Sequence, residues 1–151
     1  MKQVWVLAAV LTAALPAWSV AATTEDAVQF RQGIFRALEW NLSDMGAMIQ
    51  GRRPFDGARF ALQAQRVEQL ARMPLEGFVE ASDSSAQPSS RARGEIWYQT
   101  EQFNRLMDAL VENSAALAAA AQSQERDELR PLFGRVAQSC KQCHDRYRER
   151  D

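Results

Sequence analysis

Two cysteines and a single histidine stand together near the C-terminus, and they are the only residues of either type among the 151 of the chain. They read Cys140-Lys141-Gln142-Cys143-His144. The spacing C-x-x-C-H suits covalent attachment of a haem. Two thiols reach the two vinyl groups of one porphyrin as thioethers, and the next residue offers an imidazole to the iron. On a helix, positions three and four apart share a face, so Cys140, Cys143 and His144 point the same way. Three other chemistries use such residues. A structural zinc usually takes four Cys/His ligands, one more than the chain holds. A dithiol redox pair sits at a strand-to-helix turn of an α/β domain, and no such pattern surrounds this one. A plain disulfide would not require the histidine. The reading favoured is haem c, one per chain, covalent through Cys140 and Cys143, with His144 as the iron ligand.

The elements that must position this motif read as helices. Val28, Ile34, Phe35, Leu38, Leu42, Met45, Met48 and Ile49 fall at helical spacing between Glu25 and Gln50. Thr24 serves as a candidate N-cap, and Gly51 and Pro54 end the run. Asp56 caps a second helix to about Met73, with Phe60, Ala64, Val67, Leu70 and Ala71 on one face. Pro74 stops it. The stretch from Glu80 to Arg93 is rich in serine and small residues and reads as one long loop. A third helix is expected over residues 94–122, carrying Ile96, Trp97, Phe103, Leu106, Met107, Leu110, Val111 and Leu117. The fourth carries the motif: Leu129, Leu132, Phe133, Val136, Cys140, Cys143, His144 and Tyr147 form one stripe. Pro131 costs little if it lies in or just beyond the first turn. Four amphipathic helices without strand alternation imply an all-α, antiparallel four-helix bundle holding the covalently bound haem in its core.

The first residues carry a different signal. Lys2, the apolar run Val4 to Leu15, and small residues up to Ala22 make a secretory signal peptide over residues 1–21, cleaved after Ala21 or Ala22. The bundle domain is then 22–151. Pro16 breaks the apolar run, which is shorter than a membrane-spanning helix needs, so no stable membrane insertion is expected after cleavage. Losing Lys2 leaves 17 basic against 19 acidic residues and a charge of −2, which speaks against nucleic acid as a partner. Haem attachment at this motif takes place outside the bacterial cytoplasm, so the expected location is the periplasm.

A C-x-x-C-H on the last helix of a four-helix chain resembles the cytochrome c-prime family, the class II c-type cytochromes. The resemblance spans the mature chain. Besides the motif, it rests on Glu25-Asp26-Ala27-Val28 leading into Arg31-Gln32, on Pro54-Phe55-Asp56, on Glu95-Ile96-Trp97, on Phe133-Gly134 and on Asp145 through Arg148. It implies a five-coordinate, high-spin iron with His144 as proximal ligand. It also implies haem contacts from Arg31 and Gln32, an apolar cap from Phe35 on the open face, and Arg148 beside the proximal histidine. Arg91 departs from the acidic residue of some relatives, and no haem contact is carried over to that loop. Low-spin relatives supply a methionine where Phe35 stands. Met45 and Met48 lie roughly 15 to 20 Å further along the helix at 1.5 Å per residue. The implied function is binding of nitric oxide or carbon monoxide, with nitric oxide sequestration as the role. The alternative is a periplasmic electron carrier with a redox partner. No distal histidine offers a general base, so the chain is read as a non-enzyme. Relatives of this kind are often homodimers that pair through the first two helices, an arrangement an isologous interface would allow here. Trp40 and Trp97 are read as core or interface residues.

Overall fold

The computed structural model describes residues 22–122 and 125–150. The signal segment over residues 1–21 lies outside the described residues. Five α-helices follow one another: α1 Thr24–Ile49, α2 Gly57–Ala71, α3 Glu95–Tyr98, α4 Thr100–Ala120 and α5 Arg126–Tyr147. The long helices α1, α2, α4 and α5 form the bundle, and α3 is a single turn ahead of α4. No strand occurs among the described residues.

Local chemistry sets the helix ends. Thr23, rather than Thr24, caps α1 in a capping box. Its hydroxyl accepts from the Asp26 N–H, and the Asp26 carboxylate accepts from the Thr23 N–H. Gly51 leaves the helix with φ +73°, a left-handed conformation that glycine adopts without steric cost. The Asp56 carboxylate accepts from the Arg59 N–H and starts α2. Pro131 is the sixth residue of α5, just past its first turn, and the helix runs on to Tyr147.

The expected third helix is in fact two. Gln99 departs from helical geometry at φ −123°, ψ 37° and divides α3 from α4. Its side-chain oxygen is turned toward the end of α5, where it accepts from Arg146 Nε and Nη2 and from the Tyr147 hydroxyl at 2.7–3.2 Å. A tertiary contact thus takes a residue that propensity alone would leave in the helix. A 3-10 turn at Pro74–Gly77 is also absent from the sequence reading.

Side-chain and backbone contacts gather one end of each long helix. Ser89 of the long loop bonds Glu25 at the start of α1. The Arg93 N–H donates to Tyr147 O at the end of α5. Gln99, ahead of α4, meets the same α5 end, and the turn after α2 packs on α1. The order is therefore up, down, up, down, with antiparallel neighbours.

The core is in two parts. The larger cluster runs along the bundle and includes Leu38, Met45, Met48, Phe60, Val67, Leu117, Leu129 and Val136. The smaller holds Ile96, Phe103, Met107 and Tyr147, with Phe78, Trp97 and Cys143 packed against it. Trp97 is thus half-buried. Trp40, by contrast, is 79% exposed, so it is not a core residue.

Candidate haem site

The three motif residues sit in the last two turns of α5. Cys140 packs against the larger cluster and Cys143 against the smaller, so the two thiols straddle the seam between them. Both cysteines are free and half-buried. Loss of solvent raises both thiols, and Cys143, which also feels Cys140, is pushed up to about 11. His144 stands at the exposed edge of the stripe rather than within it. Partial desolvation lowers its pKa, helped by Arg148 and Arg91 and opposed by Asp145 and Glu39. Glu39 lies one turn after Phe35 on α1, so that face of α1 is within electrostatic reach of the histidine.

Among the described residues no three His, Cys, Asp or Glu side chains gather as ligands around one point. Two thiols that flank a seam while an imidazole stands beside them fit a flat macrocycle held at its rim and bound at its centre. The donor set and its placement therefore fit a c-type haem.

Phe35 is half-buried on α1 and packs against the larger cluster. Its ring meets Phe78 edge-on, with centroids 6.3 Å apart. Met45 and Met48 are fully buried at the far end of that cluster's α1 contribution.

Arg31 is 3% exposed, which a solvated helix face would not give. Its guanidinium organises the long loop. Nη1 donates to Gly77 O at 2.6 Å and to Ser82 Oγ at 2.7 Å; Nη2 donates to Ser82 O and, at 2.7 Å, to Ser90 Oγ. Gln32 donates to Ser89 O at 2.7 Å. Both residues of the Arg31-Gln32 pair are thus engaged by residues 77–90.

Arg148 is exposed and caps α5 through an N–H bond to His144 O. It also forms an antiparallel bridge with Ala92. Around that bridge the Arg93 N–H donates to Tyr147 O and the Glu149 N–H to Arg91 O, both at 2.9 Å. A surface cavity of about 250 Å³ is lined by His144, Arg148, Arg91, Asp145, Glu149 and Arg150. The loop that the sequence presents as a connection is therefore part of the site. It packs on α1 through Arg31 and on the end of α5 through its bridge. Ser82 and Ser90 of the loop, with Gly77 and Phe78 at the turn before it, make the contacts with Arg31. A serine-rich composition signals a loop and carries no sign of what the loop grips.

A helical bundle whose last helix presents two thiols to a seam in the core, with an imidazole at the edge beside them, defines a haem-binding four-helix bundle. Comparison with known proteins narrows the class. The sequence profile described as Cytochrome C' matches residues 26–148. Cytochrome c prime from Shewanella frigidimarina is 38% identical, superposes with a TM-score of 0.81, and covers 85% of this chain and 98% of its own. A nitric oxide complex of a variant of cytochrome c prime from Alcaligenes xylosoxidans is 31% identical with a TM-score of 0.79, covering 87% and 99%. A carbon monoxide-bound variant of the same protein is 32% identical with a TM-score of 0.78, covering 85% and 98%. The chain belongs to the cytochrome c' family, and the resemblance read from its motifs holds over the bundle.

Proposed function

We propose that this chain is a periplasmic c-type haem protein that binds nitric oxide or carbon monoxide and serves to sequester nitric oxide. Residues 1–21 direct export and are removed on the far side of the membrane, by cleavage after Ala21 or Ala22. Cys140 and Cys143 anchor one haem, and His144 holds its iron from the proximal side. Arg31 and Gln32 border the haem from α1, and Arg148 lies beside the proximal histidine. When bound, the haem supplies a five-coordinate, high-spin iron with one open face. Phe35 covers that face and offers it no hydrogen-bond donor. Bound oxygen gains from such a donor more than nitric oxide or carbon monoxide does, so the apolar cap favours those two gases. No general base faces the pocket from Phe35, which supports a binding role rather than catalysis.

The observation that carries this reading is the placement of α1. Phe35 is half-buried one turn before Glu39, whose charge is felt at His144, while Met45 and Met48 are fully buried in the larger cluster. Relatives solved with nitric oxide and with carbon monoxide give it further support. We also place an isologous homodimer interface on α1 and α2, where Trp40 is 79% and Leu62 48% exposed.

The test is the absorption spectrum of the purified holoprotein, ferric and ferrous, with and without carbon monoxide. A broad high-spin ferrous band that sharpens and shifts with the gas is expected. Sharp, split bands that ignore carbon monoxide would overturn the open site and favour the electron carrier. The role of Phe35 has its own measurement: Phe35→Ala should speed carbon monoxide association, and an unchanged rate would remove Phe35 as the gate.

A further inference from the structure

Phe35 is one end of a chain of aromatic rings. Its neighbour Phe78 meets Phe103 at 4.8 Å and 62°, and Phe103 meets Tyr147 at 5.4 Å and 90°. Phe103 and Tyr147 are 1% and 2% exposed, so that end is fixed in the smaller cluster. Phe78 is fixed from a second side as well, because the Arg31 guanidinium lies 4.5 Å from its ring centroid.

The backbone beneath Phe78 has no room to move toward α1. Gly77 sits so close to α1 that a Cβ there would lie 2.7 Å from both Ala27 O and Arg31 Cβ. Arg31 then ties the backbone of Gly77 and Ser82 to the same helix. The ring that follows Gly77 is consequently held by backbone, cation and aromatic contacts together. Phe35 is held differently. It is half-exposed, and among the described residues Phe78 is the ring that touches it. On the reading of Phe35 as the gate, a ligand would enter as the Phe35 ring turns, and Phe78 is the ring it meets.

We propose that Phe78 is a positioning residue for the Phe35 gate: clamped between Arg31 and Phe103, it holds the Phe35 ring in one orientation and thereby sets how fast a small gas reaches the iron. This rests on the reading of Phe35 as the gate. Removing the Phe78 ring releases an edge-to-face contact without touching Phe35 itself. The strength of such contacts corresponds to roughly threefold to tenfold in rate.

The test is a kinetic cycle on ferrous holoprotein with carbon monoxide as the probe, comparing the native chain, Phe35→Ala, Phe78→Leu and the double variant. Phe78→Leu should raise the association rate roughly threefold to tenfold in the native background and add nothing in the Phe35→Ala background. The infrared C–O stretch of the bound gas gives a second readout. One narrow band is expected for the native chain, and a broadened or split band for Phe78→Leu as the gate ring samples more orientations. Phe78→Tyr, which keeps the ring, should return both rate and band toward native. Phe78→Met keeps the volume without the ring and serves if Phe78→Leu fails to retain haem. An unchanged rate in the leucine or methionine variant beside a faster Phe35→Ala overturns the proposal and leaves the gate standing. Equal acceleration in both backgrounds overturns it too, since Phe78 would then act independently of Phe35. No effect of Phe35→Ala overturns the gate and the proposal together.

Discussion

Arg31 shows how one side chain can have a role its neighbours in sequence do not announce. It lies on α1 beside Gln32, in a stretch that reads as an ordinary charged turn of helix. Its four bonded acceptors are 46 to 59 residues away. Burial lowers its pKa, with the charge of Asp83 acting in the opposite sense. Family resemblance marks the position as important, but the loop it grips is visible only in three dimensions. Arg31→Met would leave two carbonyls and two hydroxyls without their donor. Losing a buried, charged donor of this kind costs about 2–4 kcal/mol. The expected outcome is a melting temperature lower by roughly 6–15 °C in calorimetry of the holoprotein. A shift under about 2 °C would show that water replaces the guanidinium without loss. The cysteines and His144 are the opposite case. Their types and spacing were legible at once, because covalent attachment constrains neighbours along the chain rather than across it. What the spacing could not convey is that His144 is at the exposed edge of α5.

Most helix boundaries with a local cap were readable, though the capping box of α1 belongs to Thr23 and not to Thr24. Asp56, Gly51 and the proline at 74 mark their elements by their own chemistry. The division of α3 from α4 was not readable, because its cause is Gln99 reaching for Arg146 and Tyr147 nearly fifty positions later. A comparable long-range tie joins α1 to α2. Asp44 of α1 accepts from Arg59 Nε at 2.6 Å and Gln63 Nε2 at 2.7 Å on α2, and pairs with Arg53 in the turn between them. The Arg59 hydrogen bond is the chief reason its carboxyl lies below the ordinary 3.8, while desolvation works the other way. A carboxyl depressed in the folded state adds stability above its unfolded pKa and loses it as pH falls through the folded value. Asp44→Asn should therefore lower the melting temperature by a few degrees at pH 7, corresponding to about 1 kcal/mol. The gap between variant and native chain should narrow as pH falls through and below the ordinary carboxylate range. A gap that stays constant with pH would assign the loss to packing rather than charge.

At the scale of the whole molecule, α1 faces three ways. One face builds the core, one meets the long loop, and one carries Trp40 into solvent. If the solvent face is the dimer interface, sedimentation velocity should show a dimer that Trp40→Glu converts to monomer, with the carbon monoxide spectrum retained. A native chain that sediments as a monomer would remove that assignment. The division of the core has a consequence for how the molecule breathes. The larger cluster is shared among all four long helices, whereas the smaller one joins α3, the first turns of α4, the loop around Phe78 and the final turns of α5. Regions with separate packing open with separate free energies. Amide protons in the middle of α2 and α4 should thus exchange with deuterium only when the whole chain unfolds. Those of α3 and residues 77–93 should exchange by a cheaper opening that leaves the bundle intact. A transient opening of that kind would uncover Cys143 before Cys140.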